Sequence, residues 1–103
     1  MIIHTVAFKL KHAPGSQAER IFLAKGAALA VIETVQNFRC YRQVSEKNPY
    51  ELCFSMEFAD QDAYDLYNQH PDHKAFVQDV WLAEVEDFLE ADFVEMDDGT
   101  VTD

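Results

Sequence analysis

The sequence predicts a single α+β domain with its elements in the order β-α-β-β-α-β, the ferredoxin-like order. Three observations carry this. Segments with a period-two apolar pattern open the chain, fill its middle and close it. Two stretches of helical periodicity separate them, the second interrupted by Pro71. No internal repeat, linker or low-complexity tract divides the 103 residues.

Each element has a local reason. Ile2 to Leu10 reads as the first strand, with His4, Val6, Phe8 and Leu10 on one face and Ile3, Thr5, Ala7 and Lys9 on the other. Ala13-Pro14-Gly15 is a turn, and Ser16 with Glu19 forms a capping-box pattern that starts a helix near Gln17. Its expected apolar stripe runs through Ala18, Ile21, Phe22, Ala28, Leu29 and Ile32. Lys25 falls near the middle of that stripe, and Gly26 marks a close approach to the sheet. The β-branched pair Thr34 and Val35 opens a second strand that runs to Val44, and Ser45 to Pro49 is a hairpin loop. The third strand, Tyr50 to Phe58, places Leu52, Phe54, Met56 and Phe58 on one face. Asp60 caps a short helix from Gln61 to about Tyr67. Pro71 ends it by pushing His70 out of the α region, and suits the first turn of the next helix. There His73, Phe76, Val77, Val80 and Trp81 share one face. A last strand spans Asp87 to Met96. The domain is expected over residues 1–96, with an acidic tail over 97–103.

The expected sheet is antiparallel and four-stranded, with helices on the face of the large even-numbered residues. The opposite face, with Ile3, Thr5, Ala7, Cys53 and Ser55, is too apolar to be left wet and too mixed for a core. Pairing it with a second copy in a homodimer is the simplest two-fold solution. A chain this short buries only roughly 60–68% of its unfolded surface alone, so it gains from association.

Eight basic residues against nineteen acidic ones give a net charge of −11, which repels nucleic acid and anionic membranes. The N-terminus has no signal-peptide pattern, and no apolar run reaches the ~20 residues of a membrane helix. Cys40 and Cys53 fit no zinc spacing and read as free thiols, so a cytoplasmic protein is expected.

The chemistry-bearing stretch is Tyr67-Asn68-Gln69-His70-Pro71-Asp72-His73. An imidazole on an apolar helix stripe needs a partner and is pushed toward its neutral form, so His73 is the first candidate for acid/base work. Tyr67 and His4 converge on the same space and complete the candidate catalytic set. The predicted walls are Val6, Phe8, Leu52, Phe54, Phe76, Val77 and Val80, which enclose an apolar pocket for a small apolar or carbonyl-containing ligand. Each residue also has a structural reading: His73 as a satisfied core histidine, Tyr67 as a packed aromatic, His70 as a cap or hinge, Lys25 as a snorkelling lysine. His70 and His73 straddle the proline and have no third carboxylate ligand, so no metal site is expected. No phosphate loop or dinucleotide fingerprint is present, so no cofactor is expected.

These residues resemble the stress-responsive A/B barrel domain (Dabb) family. The likeness rests on Ile3 to Leu10 as the opening strand, Phe54 to Phe58 with Asp60 and Tyr64, and the spacing of Tyr67, His70, Pro71, His73 and Phe76. Asp87 to Phe93 fits the closing strand. The resemblance implies a ferredoxin-like subunit in a homodimeric α/β barrel. By likeness to a plant polyketide-cyclase branch, it implies His73 as acid/base, Tyr67 as its orienting or carbonyl-polarising partner, and His4 in the pocket wall. Where that branch has a third-strand His and a helix-one Tyr, this chain has Leu52 and Lys25, and Glu33-Thr34 replaces a Pro-Gly turn. Two readings follow: a binding or stress-response module with an architectural His-Pro-x-His corner, or a cofactor-free cyclase, isomerase or lyase. A cofactor-independent monooxygenase is a third, by fold analogy alone.

Overall fold

A computed structural model describes residues 1–96; the expected acidic tail, 97–103, lies outside the described residues. The elements are β1 (Ile2–Leu10), α1 (Gln17–Ala27) with a 3₁₀ turn (Ala28–Val31), β2 (Gln36–Arg42), β3 (Leu52–Phe58), α2 (Gln61–Gln69), α3 (Pro71–Phe76) and β4 (Val85–Val94). A π-helical turn, Val77–Trp81, and a last turn, Leu82–Glu84, extend α3. The strands form one antiparallel sheet in the order β2-β3-β1-β4. This is the ferredoxin-like fold.

Period two decides which side chains meet the helices. His4, Val6, Phe8 and Leu10 of β1 are buried, as are Leu52, Phe54, Met56 and Phe58 of β3. They pack under Phe22, Leu29, Tyr64, Tyr67, Phe76 and Trp81 from the helical layer. Phe8 is central: its ring centroid lies 4.8 Å from Phe54, 5.0 Å from Trp81 and 5.6 Å from Phe22.

Helix α1 is rotated from the expected stripe. Its buried line is Glu19, Phe22 and Gly26, continued by Leu29 and Ile32, whereas Ile21 is 48% exposed. Lys25 is exposed, so it is a surface lysine and does not reach into the core. The rotation has two causes. A Cβ at position 26 would overlap the ring of Phe54, so only a glycine lets this face of α1 lie so close to the sheet. Glu19 is drawn inward by Arg42 of β2, whose Nη2 donates to its Oε1 at 2.6 Å. That guanidinium holds the Glu19 carboxyl below its ordinary range. Half of the expected capping box forms: Glu19 N–H donates to Ser16 Oγ (3.2 Å), while Glu19 Oε1 accepts from Gly15 N–H (3.0 Å) and Ser16 N–H goes to Ala13 O (3.1 Å).

Five strand ends differ from expectation: β2 starts at Gln36 and stops at Arg42 where Thr34 and Val44 were expected, β3 starts at Leu52 and not Tyr50, and β4 starts at Val85 and stops at Val94 where Asp87 and Met96 were expected. Thr34 and Val35 close the turn after α1, because Val35 N–H donates to Ile32 O at 2.9 Å. Strand β2 therefore starts at Gln36 and contains a register shift near Asn37, whose φ is 50°. Strand β4 begins at Val85, two residues before the expected start. The face away from the helices holds Ile3, Thr5, Ala7, Cys53 and Ser55, all half-buried, with Tyr41, Leu89 and Phe93 exposed beside them. Among the described residues no helix is long and apolar enough to cross a membrane.

Candidate functional site

Strand β4 lies at the sheet edge, and most of its inward row is left uncovered by the helices. Between that row and α3 lies a cavity of about 240 Å³. Its floor is His4 and Val6 of β1 with Phe54 and Met56 of β3; Tyr67, Asn68, His73, Phe76, Val77, Trp81 and Leu82 form the helical wall with Leu29. Phe88 and Glu90 of β4 close the remaining side.

His4 is 6% exposed and is held by two partners that the sequence did not reveal. Strand register sets Asp92 opposite His4, and His4 Nδ1 lies 2.5 Å from Asp92 Oδ1. Tyr64, one turn before Tyr67 on α2, donates its hydroxyl to Asp92 Oδ2 at 3.0 Å; its oxygen lies 2.9 Å from His4 Nδ1. A carboxylate only accepts, so the ring hydrogen of neutral His4 sits on Nδ1. Nε2 then keeps its lone pair, with no partner among the described residues. Burial first, then Asp92, push the Tyr64 phenol well above its ordinary range, so it stays a donor.

Tyr67 is 3% exposed and stands between two imidazoles, its ring centroid 6.3 Å from that of His4 and 4.3 Å from that of His73. Burial above all, aided by Tyr64 and Glu90, raises its phenol, so it too remains an O–H donor. His73 is half-buried. Its Nδ1–H donates to Asn68 O across the proline corner at 3.3 Å, which leaves Nε2 free. Burial lowers its pKa against the opposing pull of that bond, so the ring is neutral at pH 7.

The corner itself follows from the chain. His70 is extended (φ −63°, ψ 135°) before Pro71, and its Nδ1 accepts from Asp72 N–H at 3.1 Å. It caps α3 and does not line the cavity. Of the predicted walls, Val6, Phe54, Phe76 and Val77 do line it. Three lie elsewhere: Phe8 is wholly buried under Trp81 and Phe22, Leu52 sits at the far end of β3 against a depression on the other sheet face, and Val80 packs on the core. The reason is that the hollow opens toward β4 and away from β2. Among the described residues no group of three or more His, Cys, Asp or Glu side chains is placed to hold a metal ion.

Among curated proteins no match to the chain is found. Solved structures give clear likenesses. A Dabb-family protein from Mesorhizobium loti with a ferredoxin-like fold is 52% identical (TM-score 0.91), over 93% of this chain and 97% of that one. An Arabidopsis thaliana protein is 22% identical (TM-score 0.83), over 94% and 97% of the two chains. A dimeric ferredoxin-like protein of unknown function from Thermobifida fusca is 18% identical (TM-score 0.75), over 91% and 90%. The last two likenesses are of fold. The profile of the stress responsive A/B barrel domain matches residues 2–95, and with it the chain belongs to the Dabb family.

Proposed function

We propose that this Dabb domain works in the cytoplasm as a homodimer that binds a small, largely apolar carbonyl compound in the β4-side cavity and moves a proton on it without a cofactor. The observation that carries the reading is the Asp92–His4 pair. The carboxylate occupies Nδ1, so Nε2 is the basic nitrogen, at the cavity wall beside a protonated Tyr67. A neutral His73 supplies a second imidazole with a free Nε2 on the other side of Tyr67.

The parts divide as the chemistry requires. An imidazole takes a proton from the carbon next to a carbonyl, while the Tyr67 hydroxyl donates to the oxygen as negative charge develops there. Isomerisation and aldol-type cyclisation share this step; retro-aldol cleavage runs it in reverse, with the β-hydroxyl proton taken first, the C–C bond broken to an enolate, and the enolate carbon protonated last. The dimer rests on the mixed sheet face with Tyr41, Leu89 and Phe93 exposed, and on the dimeric state of the Thermobifida fusca neighbour.

Hydrogen–deuterium exchange at the α-carbon of a panel of small ketones and aldehydes in D₂O tests the reading. The wild type should speed exchange of at least one member, and His4→Gln and Tyr67→Phe should each lower that rate by about 10²–10⁴-fold. Exchange no faster than in buffer across the panel, or variants as fast as wild type, would sink it. A second reading has its own support, because the His73–Asn68 bond ties α2 to α3 across Pro71. In that reading the corner is architectural: His73→Ala lowers the melting temperature and the wild type exchanges nothing.

A further inference from the structure

We propose that the cavity selects a ligand made of a small apolar body and a positively charged alkylammonium head, with Glu90 as the counter-ion. The inference rests on the cavity being a binding site and adds the charge of what enters it.

Three observations point the same way. The cavity lining contains no Lys or Arg, and its one carboxylate is Glu90. Glu90 takes no ion-pair partner among the described residues, whereas neighbouring Asp92 is engaged by His4 and Tyr64. The other imidazoles in the lining are not free to balance Glu90, since His73 is held neutral and His4 is already paired with Asp92.

Glu90 shares the cavity lining with the rings of Phe76, Trp81 and Phe88. Trp81 and Phe88 stand edge to face with centroids 5.5 Å apart, and Phe76 lies 6.3 Å from Trp81. A cation within ~6 Å of such rings is attracted by their quadrupoles, and one carboxylate at the edge of an aromatic box is the arrangement that suits an ammonium group. Register places Glu90 opposite Val6, in the row that faces the cavity. Lys74 lies in an adjoining depression and not in the cavity lining. The net charge of −11 draws cations toward the molecule as a whole. An anionic head would meet Glu90 with nothing to offset it.

Trp81 is the sole tryptophan, so its fluorescence reports on this cavity directly. Three probes of one shape separate the terms: protonated cyclohexylmethylamine, neutral cyclohexylmethanol and cyclohexanecarboxylate. Titrations of the full chain at pH 7, read by Trp81 emission and by amide NMR shifts, should rank amine over alcohol by about tenfold, as expected for one half-solvated ion pair plus a cation–π contact. The carboxylate should be weakest. Glu90→Gln should bring amine and alcohol to nearly equal affinity. An amine that binds no tighter than the alcohol, or a preference that survives in Glu90→Gln, overturns the inference while the binding site stands. Absence of binding by all three probes overturns both.

Discussion

Asp92→Asn is the sharpest probe of the His4 assembly, because it changes one atom and forces a choice. Asp92 accepts two hydrogen bonds, from His4 Nδ1–H on Oδ1 and from the Tyr64 hydroxyl on Oδ2. Asparagine has one acceptor oxygen and an NH₂ group. If its oxygen stays with His4, the NH₂ faces Tyr64 and one donor is left without an acceptor. That costs about 1–3 kcal/mol where water cannot help. The arrangement that satisfies every group has the NH₂ donating to His4 Nδ1 and the Tyr64 hydroxyl donating to the amide oxygen. It requires the ring hydrogen to move to Nε2, where it covers the lone pair proposed to act in the cavity.

The magnitude follows from what is exchanged. Two charge-assisted bonds become neutral ones, a loss of about 1 kcal/mol each for buried partners. The Asp92 side chain is 41% exposed, so about half of that total is the better figure. For a domain of this size, ~1 kcal/mol lowers Tm by roughly 4–8 °C. Long-range ¹H–¹⁵N spectra of the His4 ring should show the hydrogen on Nδ1 in wild type and on Nε2 in Asp92→Asn, with no substrate needed. Any proton-transfer rate found for the protein should fall by about 10²–10⁴-fold. A variant that keeps the Nδ1–H form and melts with wild type would refute the argument, since Asp92 would then not be setting the ring.

Three further changes test separate parts of the structure. Ala7→Arg puts a charge in the middle of the mixed sheet face, opposite Cys53 and Leu89, and should weaken self-association at least tenfold; an unchanged dimer in sedimentation velocity would place the interface elsewhere. Gly26→Ala gains helix propensity of about 1 kcal/mol but drives a methyl into the Phe54 ring, an overpacking cost of about 1–3 kcal/mol, so its Tm should fall. A higher Tm would mean that α1 does not approach the sheet so closely. His73 has a folded pKa below its usual 6.5, so the unfolded chain binds the extra proton first. Stability should therefore fall as pH drops from about 7.5 through 6.5 and level off below the folded pKa. His73→Gln should flatten that part of a Tm-against-pH curve, and an identical slope in the variant would show that His73 is not the group responsible.

The fold was legible because its signals are local. The alternation in β1 and β3 predicts the buried rows, and Pro71 predicts both the helix break and the capping role of His70. What failed was rotation about the axis of α1. Ala18 and Ile21 are apolar and Glu19 is charged, so periodicity alone points the stripe past Glu19. Only the Arg42 partner, twenty-three residues away on another element, makes a buried glutamate there favourable. Gly26 carried the missing signal: a helix-interior glycine that must touch the sheet fixes the helix angle, and Lys25 beside it is then turned outward.

The site divides along the same line. His4, Tyr67 and His73 were recognisable because each is polar on a face that is otherwise apolar. Tyr64, Asp92 and Glu90 were not. In β4 the odd positions Leu89, Ala91 and Phe93 are the apolar row, so alternation assigns them to the core and leaves Glu90 and Asp92 to solvent. The structure reverses this, since β4 pairs with β1 in the register that places Asp92 against His4 and Ala91 against Thr5. An edge strand with its apolar row turned away from its own helices has a use for that row only if something else covers it. The same register brings Glu90 to the cavity and Asp92 to His4. The proposed dimer face and the place of Glu90 in the cavity wall are thus two consequences of one strand's orientation: a second copy bound at Leu89 and Phe93 would hold Asp92 against His4 and Glu90 toward the proposed cationic ligand.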